Sequence, residues 1–237
     1  MRVLVTRPQP AAETTAHRLE TAGHEAVLMP LMRATHLVAA ARSALDVPHV
    51  AIVLTSAEAV RVLVAMGEDL AKHLSTPCFC VGEATARAAS DLGFADIRVG
   101  DGNGQALAEL IVSTLDILPE QPLLYLTGTP RSSGLESTLI QHGIAHEAVE
   151  CYRMTPIAQP PGAIEDAIRN GPLDAALLYS RETTCRLATL LIGAGVSAPA
   201  FASRYLCLSA TIAEALPVGA VSQIAARPDE ESLFRLL

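Results

Sequence analysis

Short apolar runs alternate along the chain with Ala-rich stretches in which apolar residues recur at helical spacing. The helical spacing is clear at Ala84, Ala88 and Leu92, which lie four residues apart. Strands that alternate with helices are typical of parallel sheets with crossover helices, so the pattern predicts an α/β fold with a parallel sheet flanked by helices. The predicted strands are RVLVT, EAVLM, VAIVLT, PCFCV, ADIRV, PLLYLT, AHEAVEC, DAALLY, RYLCL and AVSQIA.

This alternation occurs in two copies. Segment 1–33 resembles 122–156, because in each an apolar strand leads through Thr and a turn with Arg and Pro into a helix, a Gly and a second strand. Segment 50–101 resembles 175–228 in the same way, so the order is A, B, A′, B′. The residues alone leave open whether A folds with B or with B′. We expect the chain to cross between domains after Pro30 and between Pro156 and Gly162, where prolines and polar residues follow a strand.

The composition narrows the classes of partner. The chain has 237 residues, enough for a sizeable core, and carries 17 Lys and Arg against 25 Asp and Glu, a formal net charge of -8. This charge repels phosphate backbones and anionic membranes, and a chain with 3% aromatic residues and no Trp is a poor platform for stacked bases. We therefore expect a small-molecule ligand, with no nucleic acid and no membrane partner.

The cysteines indicate a reducing compartment. There are five, an odd number, with no C-x-x-C pair and no zinc spacing, so we expect free, reduced thiols and a cytoplasmic protein. We expect Cys78 and Cys80 to point to opposite faces of their strand. The N-terminus offers only Val3 to Val5 as an apolar run, which is too short for a signal peptide.

Hydroxyl and small residues follow six of the predicted strands. In open α/β sheets ligands bind beyond the carboxyl ends of the strands, where helix N-termini present unpaired N–H groups. Any single position is equally well explained as a helix cap. Together they predict a rim for a large polar ligand, at Thr6-Arg7-Pro8, Thr55-Ser56, Val81-Gly82-Glu83, Thr127-Gly128-Thr129, Tyr179-Ser180 and Leu208-Ser209.

Other motifs have simpler explanations. The glycine-rich GDGNG stretch, 100–104, lacks the third glycine of a dinucleotide fingerprint, and we expect a turn followed by a helix cap. Glu165 and Glu230 are expected at helix starts, where carboxylates complement the dipole. Tyr152 has two interpretations: a half-buried aromatic at a strand end, or a phenol facing a ligand cleft and able to donate a proton.

In these motifs the chain resembles the uroporphyrinogen-III synthase family over essentially its whole length. Individually the motifs are degenerate, and their order and spacing carry the resemblance. They are Val3 to Pro8, the spacing from Gly23 to Pro30, Leu54 to Val60, Val81 to Ala86, the turn from Leu126 to Arg131, Tyr152 to Pro156 and the RPDEESL stretch near the end.

The resemblance implies two similar α/β domains joined by two strands, with a cleft between them. Domain 1 would be discontinuous, 1–35 with 157–237, and domain 2 would be 36–156. The implied reaction dehydrates and cyclises hydroxymethylbilane, a linear tetrapyrrole with eight carboxylates, and inverts ring D to give uroporphyrinogen III. No cofactor or metal is expected, and we expect a monomer with at most a transient contact with the preceding enzyme of the pathway.

The resemblance also assigns site residues. Tyr152 corresponds to the family tyrosine and is the candidate catalytic residue, and Thr85 and Thr211 correspond to family threonines. The alternative function is a non-catalytic sensor or small-molecule-binding protein with the same two-domain fold. The candidate substrate-binding residues are Arg7, Thr55, Ser56, Gly82, Thr85, Thr127, Gly128, Arg131, Ser180, Ser209 and Thr211.

Overall fold

The computed structural model describes residues 1–115 and 120–237. The strands are β1 (Arg2–Val5), β2 (Glu25–Leu28), β3 (Met32–His36), β4 (Ala51–Leu54), β5 (Cys78–Cys80), β6 (Ile97–Val99), β7 (Leu123–Thr129), β8 (His146–Pro156), β9 (Ala175–Leu178), β10 (Tyr205–Cys207) and β11 (Ser222–Ile224). The helices are α1 (Ala11–Thr21), α2 (Val38–Leu45), α3 (Ala57–Val64), α4 (Glu83–Leu92), α5 (Gly104–Thr114), α6 (Gly134–Gln141), α7 (Ala163–Ala167), α8 (Arg181–Ala194), α9 (Ala198–Phe201), α10 (Ala210–Ala213) and α11 (Glu230–Phe234), with a 3₁₀ helix at Gly67–His73. The α/β prediction is confirmed.

The chain forms two compact units. One contains Met1–Arg33 with Thr155–Leu237, and the other contains Ala34–Met154. These boundaries lie two residues before the predicted ones at 35 and 156, and the assignment of the units as domains stays a prediction of the sequence.

The five-stranded sheet of the first unit has the order β11-β10-β9-β1-β2, and every pair is parallel. Both faces are buried, as is usual for parallel sheets with crossover helices. Leu4 and Leu178 pack on one face with α7 to α10, while Val3 and Val5 pack on the other with α1 and α11. Segment A therefore pairs with segment B′.

The six-stranded sheet of the second unit has the order β3-β8-β7-β4-β5-β6, and β8 to β6 are parallel. Leu54 and Leu126 face α2, α3 and α4, and Val53 and Tyr125 face α5 and α6. Segment A′ thus pairs with segment B in the arrangement that A and B′ adopt. The repeat is a repeat of topology as well as of sequence.

The residues after Pro30 form a strand, in line with the two joining strands that the resemblance implies. The second predicted crossing begins at Pro156, the last residue of β8, and residues 157–162 lie outside the strands. Met32–His36 forms β3, and β8 continues beyond Cys151, where we expected it to end, to Pro156. The backbone N–H of Leu37 donates to the carbonyl of Cys151 at 2.7 Å, and that of Ile157 donates to Leu31 at 2.9 Å. Backbone N–H and C=O groups in an extended segment can form hydrogen bonds with a neighbouring strand, so a strand is stable here. The prolines in the sequence favoured a loop over a strand in the prediction.

Cys78 and Cys80 share one face of β5, so the prediction of opposite faces is wrong. Residues two apart on a strand point the same way, and the two sulfurs lie 3.8 Å apart in the same core cluster. All five cysteines are free thiols, as expected, and only Cys185 is not fully buried.

Two smaller predictions are confirmed. Asn103 caps α5 by accepting from the amide of Ala106 at 2.9 Å, so the glycine-rich stretch is a turn and a cap. Glu165 and Glu230 lie in the first turns of α7 and α11. Among the described residues, no helix is long and apolar enough to cross a membrane.

Candidate active site

The carboxyl ends of β5, β4 and β7 meet at one edge of the six-stranded sheet, beside the part of β8 that contains Tyr152, a residue within β8 and not at its end as predicted. β4 is followed in the chain by β5 on one side, while β7 lies on its other side, so the strand order reverses between β4 and β7. Such a switch point is the usual ligand position in open α/β sheets. The edge brings together eight candidate residues or their immediate neighbours, namely Thr55, Ser56, Gly82, Thr85, Thr127, Gly128, Arg131 and Tyr152.

A β-bulge in β8 sets the direction of the Tyr152 side chain. Thr127 pairs with Glu150 and Gly128 pairs with Tyr152, so Cys151 is an extra residue in the ladder. Successive strand residues normally point to opposite faces, yet Cys151 and Tyr152 belong to the same core cluster. The bulge therefore turns Tyr152 toward the face that α3 and α4 cover.

Gly128 provides the space that the Tyr152 ring occupies. A Cβ atom built on Gly128 would lie 2.2 Å from Cζ and 2.7 Å from Oη of Tyr152. No side chain larger than hydrogen fits there without moving the ring. Gly128 is needed for this close approach.

Burial governs the acidity of Tyr152, whose exposed fraction is 9%. Burial raises the pKa of the phenol above its ordinary value, because the anion loses its hydration. A hydrogen bond with the Ser56 side chain lowers the pKa in part, and the charges of Cys151, Tyr125 and Glu58 raise it further. The phenol is therefore protonated at neutral pH and able to donate.

Ser56 is fixed by its place at the start of α3. It is the N-cap, and its Oγ accepts from the amide of Glu58 at 3.1 Å. Thr55 is held separately, since its Oγ1 lies 3.0 Å from the phenol oxygen of the buried Tyr125. Thr55 and Ser56 are thus oriented by different neighbours.

The remaining candidates at this edge differ in exposure. Gly82 is the N-cap residue of α4, and Thr85, in the first turn, is 5% exposed. Thr127 is 1% exposed. Arg131 is more open to solvent and makes a bidentate ion pair with Glu136 at 2.8 and 3.2 Å, which raises the pKa of Arg131 and lowers that of Glu136.

In the five-stranded sheet, Arg7 belongs to a hydrogen-bonded network centred on Glu230. Oε1 of Glu230 accepts from Arg7 at 2.8 Å, from Thr15 at 2.6 Å and from the Tyr179 hydroxyl at 2.7 Å, and Oε2 accepts from Arg18. The Arg7 guanidinium also lies 4.3 Å from the centroid of the Tyr179 ring. The network attaches α11 to the ends of β1 and β9.

The pKa values follow from these contacts. Burial would raise the pKa of Glu230, but the hydrogen bonds from Thr15 and Tyr179 and the charges of Arg7 and Arg18 lower it overall. Burial, then the charge of Glu230, raises the pKa of Tyr179. The charged carboxylate and the neutral phenol are the forms that the fold stabilises.

We expect Glu230→Gln to lower the free energy of unfolding by about 1–3 kcal/mol at neutral pH, because a buried charge-assisted network loses its acceptor. Because the fold lowers the pKa of Glu230, its ionised carboxylate stabilises the folded protein at pH values above the unfolded-state pKa. This stabilisation is lost as the pH falls through the folded-state pKa. The difference from the unchanged protein should therefore shrink in acid. Urea unfolding at neutral and acidic pH measures it. Glu231→Gln is the matched control, since the Glu231 side chain is 65% exposed, and an equal loss in both variants would contradict the prediction.

The other candidates in this sheet are helix-start residues. Ser180 caps α8, accepting from the amide of Thr183 at 3.2 Å. Ser209 is the N-cap residue of α10 without a side-chain cap bond. Thr211, in the short α10, is exposed, unlike the corresponding Thr85. The candidates of the first unit are Arg7, Ser180, Ser209 and Thr211, and the other candidates belong to the second unit.

Two residues of the second unit, His36 and Glu58, were not among the predicted site residues. His36 and Glu58 form a hydrogen-bonded pair, with His36 Nε2 2.6 Å from Glu58 Oε1. Nothing in the local sequence marks His36, and an acidic residue after an N-cap is ordinarily explained by the helix dipole.

Within the described residues, no group of three or more His, Cys, Asp or Glu side chains is arranged to hold a metal ion.

The HEM4 family model, described as uroporphyrinogen-III synthase HemD, matches residues 13–235. The chain belongs to the uroporphyrinogen-III synthase family. No curated protein sequence matches the chain. Uroporphyrinogen-III synthases are cyclising lyases of tetrapyrrole biosynthesis, so the resemblance carried by the dispersed motifs is confirmed.

Solved structures of uroporphyrinogen-III synthases have the same fold. The Helicobacter pylori uroporphyrinogen-III synthetase is 17% identical with a TM-score of 0.66, and covers 99% of this chain and 96% of its own. A mutant Thermus thermophilus uroporphyrinogen III synthase is 20% identical with a TM-score of 0.58, and covers 99% and 96%. At these identities the structures support the two-domain α/β fold, and the family match carries the function.

Proposed function

We propose that the protein is a uroporphyrinogen-III synthase that dehydrates and cyclises hydroxymethylbilane with inversion of ring D. The observation that carries this proposal is the family match over residues 13–235. The arrangement of Tyr152, Ser56 and Gly128 at a switch point of the sheet supports it, because this edge offers a protonated phenol beside helix N-termini. No finding favours the non-catalytic alternative.

In the proposed mechanism, Tyr152 is a general acid for the departing hydroxyl of the substrate. The lone pair of the neighbouring pyrrole nitrogen drives the C–O bond to break, and the oxygen takes the phenol proton and leaves as water. A carbocation stabilised by the pyrrole remains. A weak, well-placed acid is sufficient here, and a buried phenol that stays protonated has the required form.

We propose that the substrate carboxylates bind to backbone N–H groups at the starts of the helices that follow the strands. The caps of α3, α4, α8 and α10 each leave amides without partners in the helix, and the dipole favours an anion there. This distributed binding is compatible with a net charge of -8. The proposed contacts are Arg7, Thr55, Ser56, Gly82, Thr85, Thr127, Gly128, Arg131, Ser180, Ser209 and Thr211.

If binding is distributed in this way, single Arg→Ala changes should have limited effects. We expect Arg131→Ala to weaken substrate binding by about 1–3 kcal/mol, the range for one hydrogen bond to a charged group. Steady-state KM, checked by competition with the product, measures it. Arg169→Ala, which removes an arginine from the exposed pair with Asp166, is the control and should leave KM unchanged. Complete loss of binding in a folded Arg131→Ala protein would contradict distributed binding.

The test of the proposed function is a coupled assay with freshly made hydroxymethylbilane, in which the isomers of the cyclised product are separated. We expect the type III isomer in the presence of the protein and the type I isomer, from unassisted closure, in its absence. Type I alone, at the unassisted rate, would refute the proposal.

The further properties that the resemblance implies remain proposals. They are a substrate cleft between the two domains, a monomeric state, a cytoplasmic location and at most a transient contact with the preceding enzyme. Small-angle scattering with and without product is a direct test of the cleft, because closure around a ligand changes the radius of gyration.

A further inference from the structure

Glu58 is a nearly buried carboxylate in the first turn of α3, with an exposed fraction of 9%. Acidic residues in first turns are common because they complement the helix dipole, and this role requires no burial. Glu83 and Glu182 occupy the first turns of α4 and α8 and are exposed. Burying a carboxylate costs hydration, so the dipole alone does not account for Glu58.

Two side chains hold the Glu58 carboxylate in place. His36, at the end of β3, lies with Nε2 2.6 Å from Oε1, and Arg61 makes an ion pair with Oε2 from the next turn of α3. The His36 side chain is 30% exposed, while that of Glu58 is 11% exposed. The carboxylate thus has one partner on a strand and one on its own helix.

This pair is linked to Tyr152 by two routes within one unit. On the helix side, the backbone amide of Glu58 donates to Oγ of Ser56, and the Ser56 side chain lowers the pKa of Tyr152. On the strand side, the residue after His36, Leu37, donates its amide to the carbonyl of Cys151, the bulge residue next to Tyr152. A change in the position of Glu58 therefore reaches the phenol through both neighbours.

We propose that Glu58 is a positioning residue for Tyr152, because its carboxylate, held by His36 and Arg61, ties the start of α3 to β3, and the backbone after β3 is bonded to the bulge beside Tyr152. The titratable groups that face the phenol are Cys151 on its own strand, Tyr125 on β7 and Glu58 on α3. Glu58 is the only carboxylic acid side chain among these three. The inference deepens the proposed function and rests on it only for the catalytic readout.

The first test needs no substrate. Tyrosine labelled with ¹³C at Cζ gives four resonances, since the chain has four tyrosines, and Tyr152→Phe assigns the one of interest. We expect the Tyr152 resonance to begin to titrate about half to one pH unit lower in Glu58→Gln than in the unchanged protein, because a nearby negative charge is lost. The control Glu109→Gln removes an exposed carboxylate of α5, bonded to Gln105, and should not move it. An unchanged Tyr152 titration in Glu58→Gln overturns the proposal.

The second test is kinetic. We expect Glu58→Gln to lower kcat about three- to tenfold with KM unchanged, since the residue acts on the acid rather than on the substrate. A rise in KM alone overturns the positioning role. If Glu58→Gln does not fold, His36→Phe removes the strand partner and leaves α3 intact, and the same fall in kcat is expected. Unchanged kcat in His36→Phe then overturns the proposal.

The two levels of inference fail separately. If Tyr152→Phe is fully active, the proposed catalytic role of the tyrosine is lost, but the substrate-free titration still decides whether Glu58 controls the phenol. If Tyr152→Phe is impaired and the titration does not respond to Glu58→Gln, Tyr152 keeps its role as the general acid and the positioning role of Glu58 is refuted.

Discussion

Gly128→Ala should reduce turnover about a hundredfold and destabilise the protein by about 1–3 kcal/mol. The added Cβ would lie 2.2 Å from Cζ of Tyr152, well inside contact distance, so the ring must leave its position. A displacement of about 1 Å at a reacting group can cost this much in rate. Single-turnover formation of the type III isomer measures the chemical step, and urea unfolding measures the stability.

A double substitution isolates the cause. In a Tyr152→Ala background the ring is absent, so we expect Gly128→Ala to add little further loss of stability. Gly193→Ala, in α8, is the matched control. No heavy atom lies within 4 Å of the added Cβ, so we expect this substitution to leave turnover unchanged. A fully active Gly128→Ala protein would show that the position of the Tyr152 ring does not matter.

Tyr152→Phe should lower turnover at least about tenfold with little change in melting temperature. The substitution keeps the ring against Gly128 and removes only the hydroxyl. A positioned general acid contributes about 10²–10⁴ in rate, and the push from the pyrrole nitrogen places this case toward or below the low end. The measurement is the rate of type III formation with the isomer ratio beside it, because unassisted closure gives type I.

Tyr205→Phe is the matched control. Its hydroxyl is also buried and donates to the carbonyl of Ala198 at 2.8 Å, but Tyr205 begins β10 and so lies at the opposite end of the strand from the carboxyl end. We expect a loss of about 1 kcal/mol in stability from the missing hydrogen bond, and unchanged turnover. Full activity in Tyr152→Phe would leave backbone dipoles or the substrate's own carboxyl groups as the acid.

The candidate site was predictable in part, for a physical reason. Hydroxyl and glycine residues after apolar strands predict helix caps, and parallel strands bring their carboxyl ends to one edge, so Ser56, Gly82 and Ser180 were found as helix-start residues. The Glu58 and His36 pair was not found. It joins a strand to a helix 22 residues later in the chain, and no local pattern marks such a contact.

Local periodicity determined the α/β class and the ten strands that carry clear apolar runs. The apolar pattern did not predict β3, which only the resemblance implied as a joining strand, because Met32–His36 lies at a sheet edge where only Met32 is buried and the apolar signal is weak. The residue pattern alone left the partner of each repeat segment open, and the resemblance implied the pairing of A with B′. Segment A joined B′, and A′ joined B, only when long-range strand pairing formed the two sheets.

The sequence by itself determined most of the residues at the strand ends, since strand, turn and cap are set by neighbours in the chain. β7 and β8 are exceptions, because they continue to Thr129 and Pro156, beyond the predicted ends. Tertiary structure alone decided where Tyr152 points. If strand residues alternated strictly after Cys151, the Tyr152 ring would lie on the opposite face of the sheet. The extra residue at the bulge turns the ring toward α3. A bulge depends on the register between two strands, so it arises from the pairing of β7 with β8, which neither strand encodes alone.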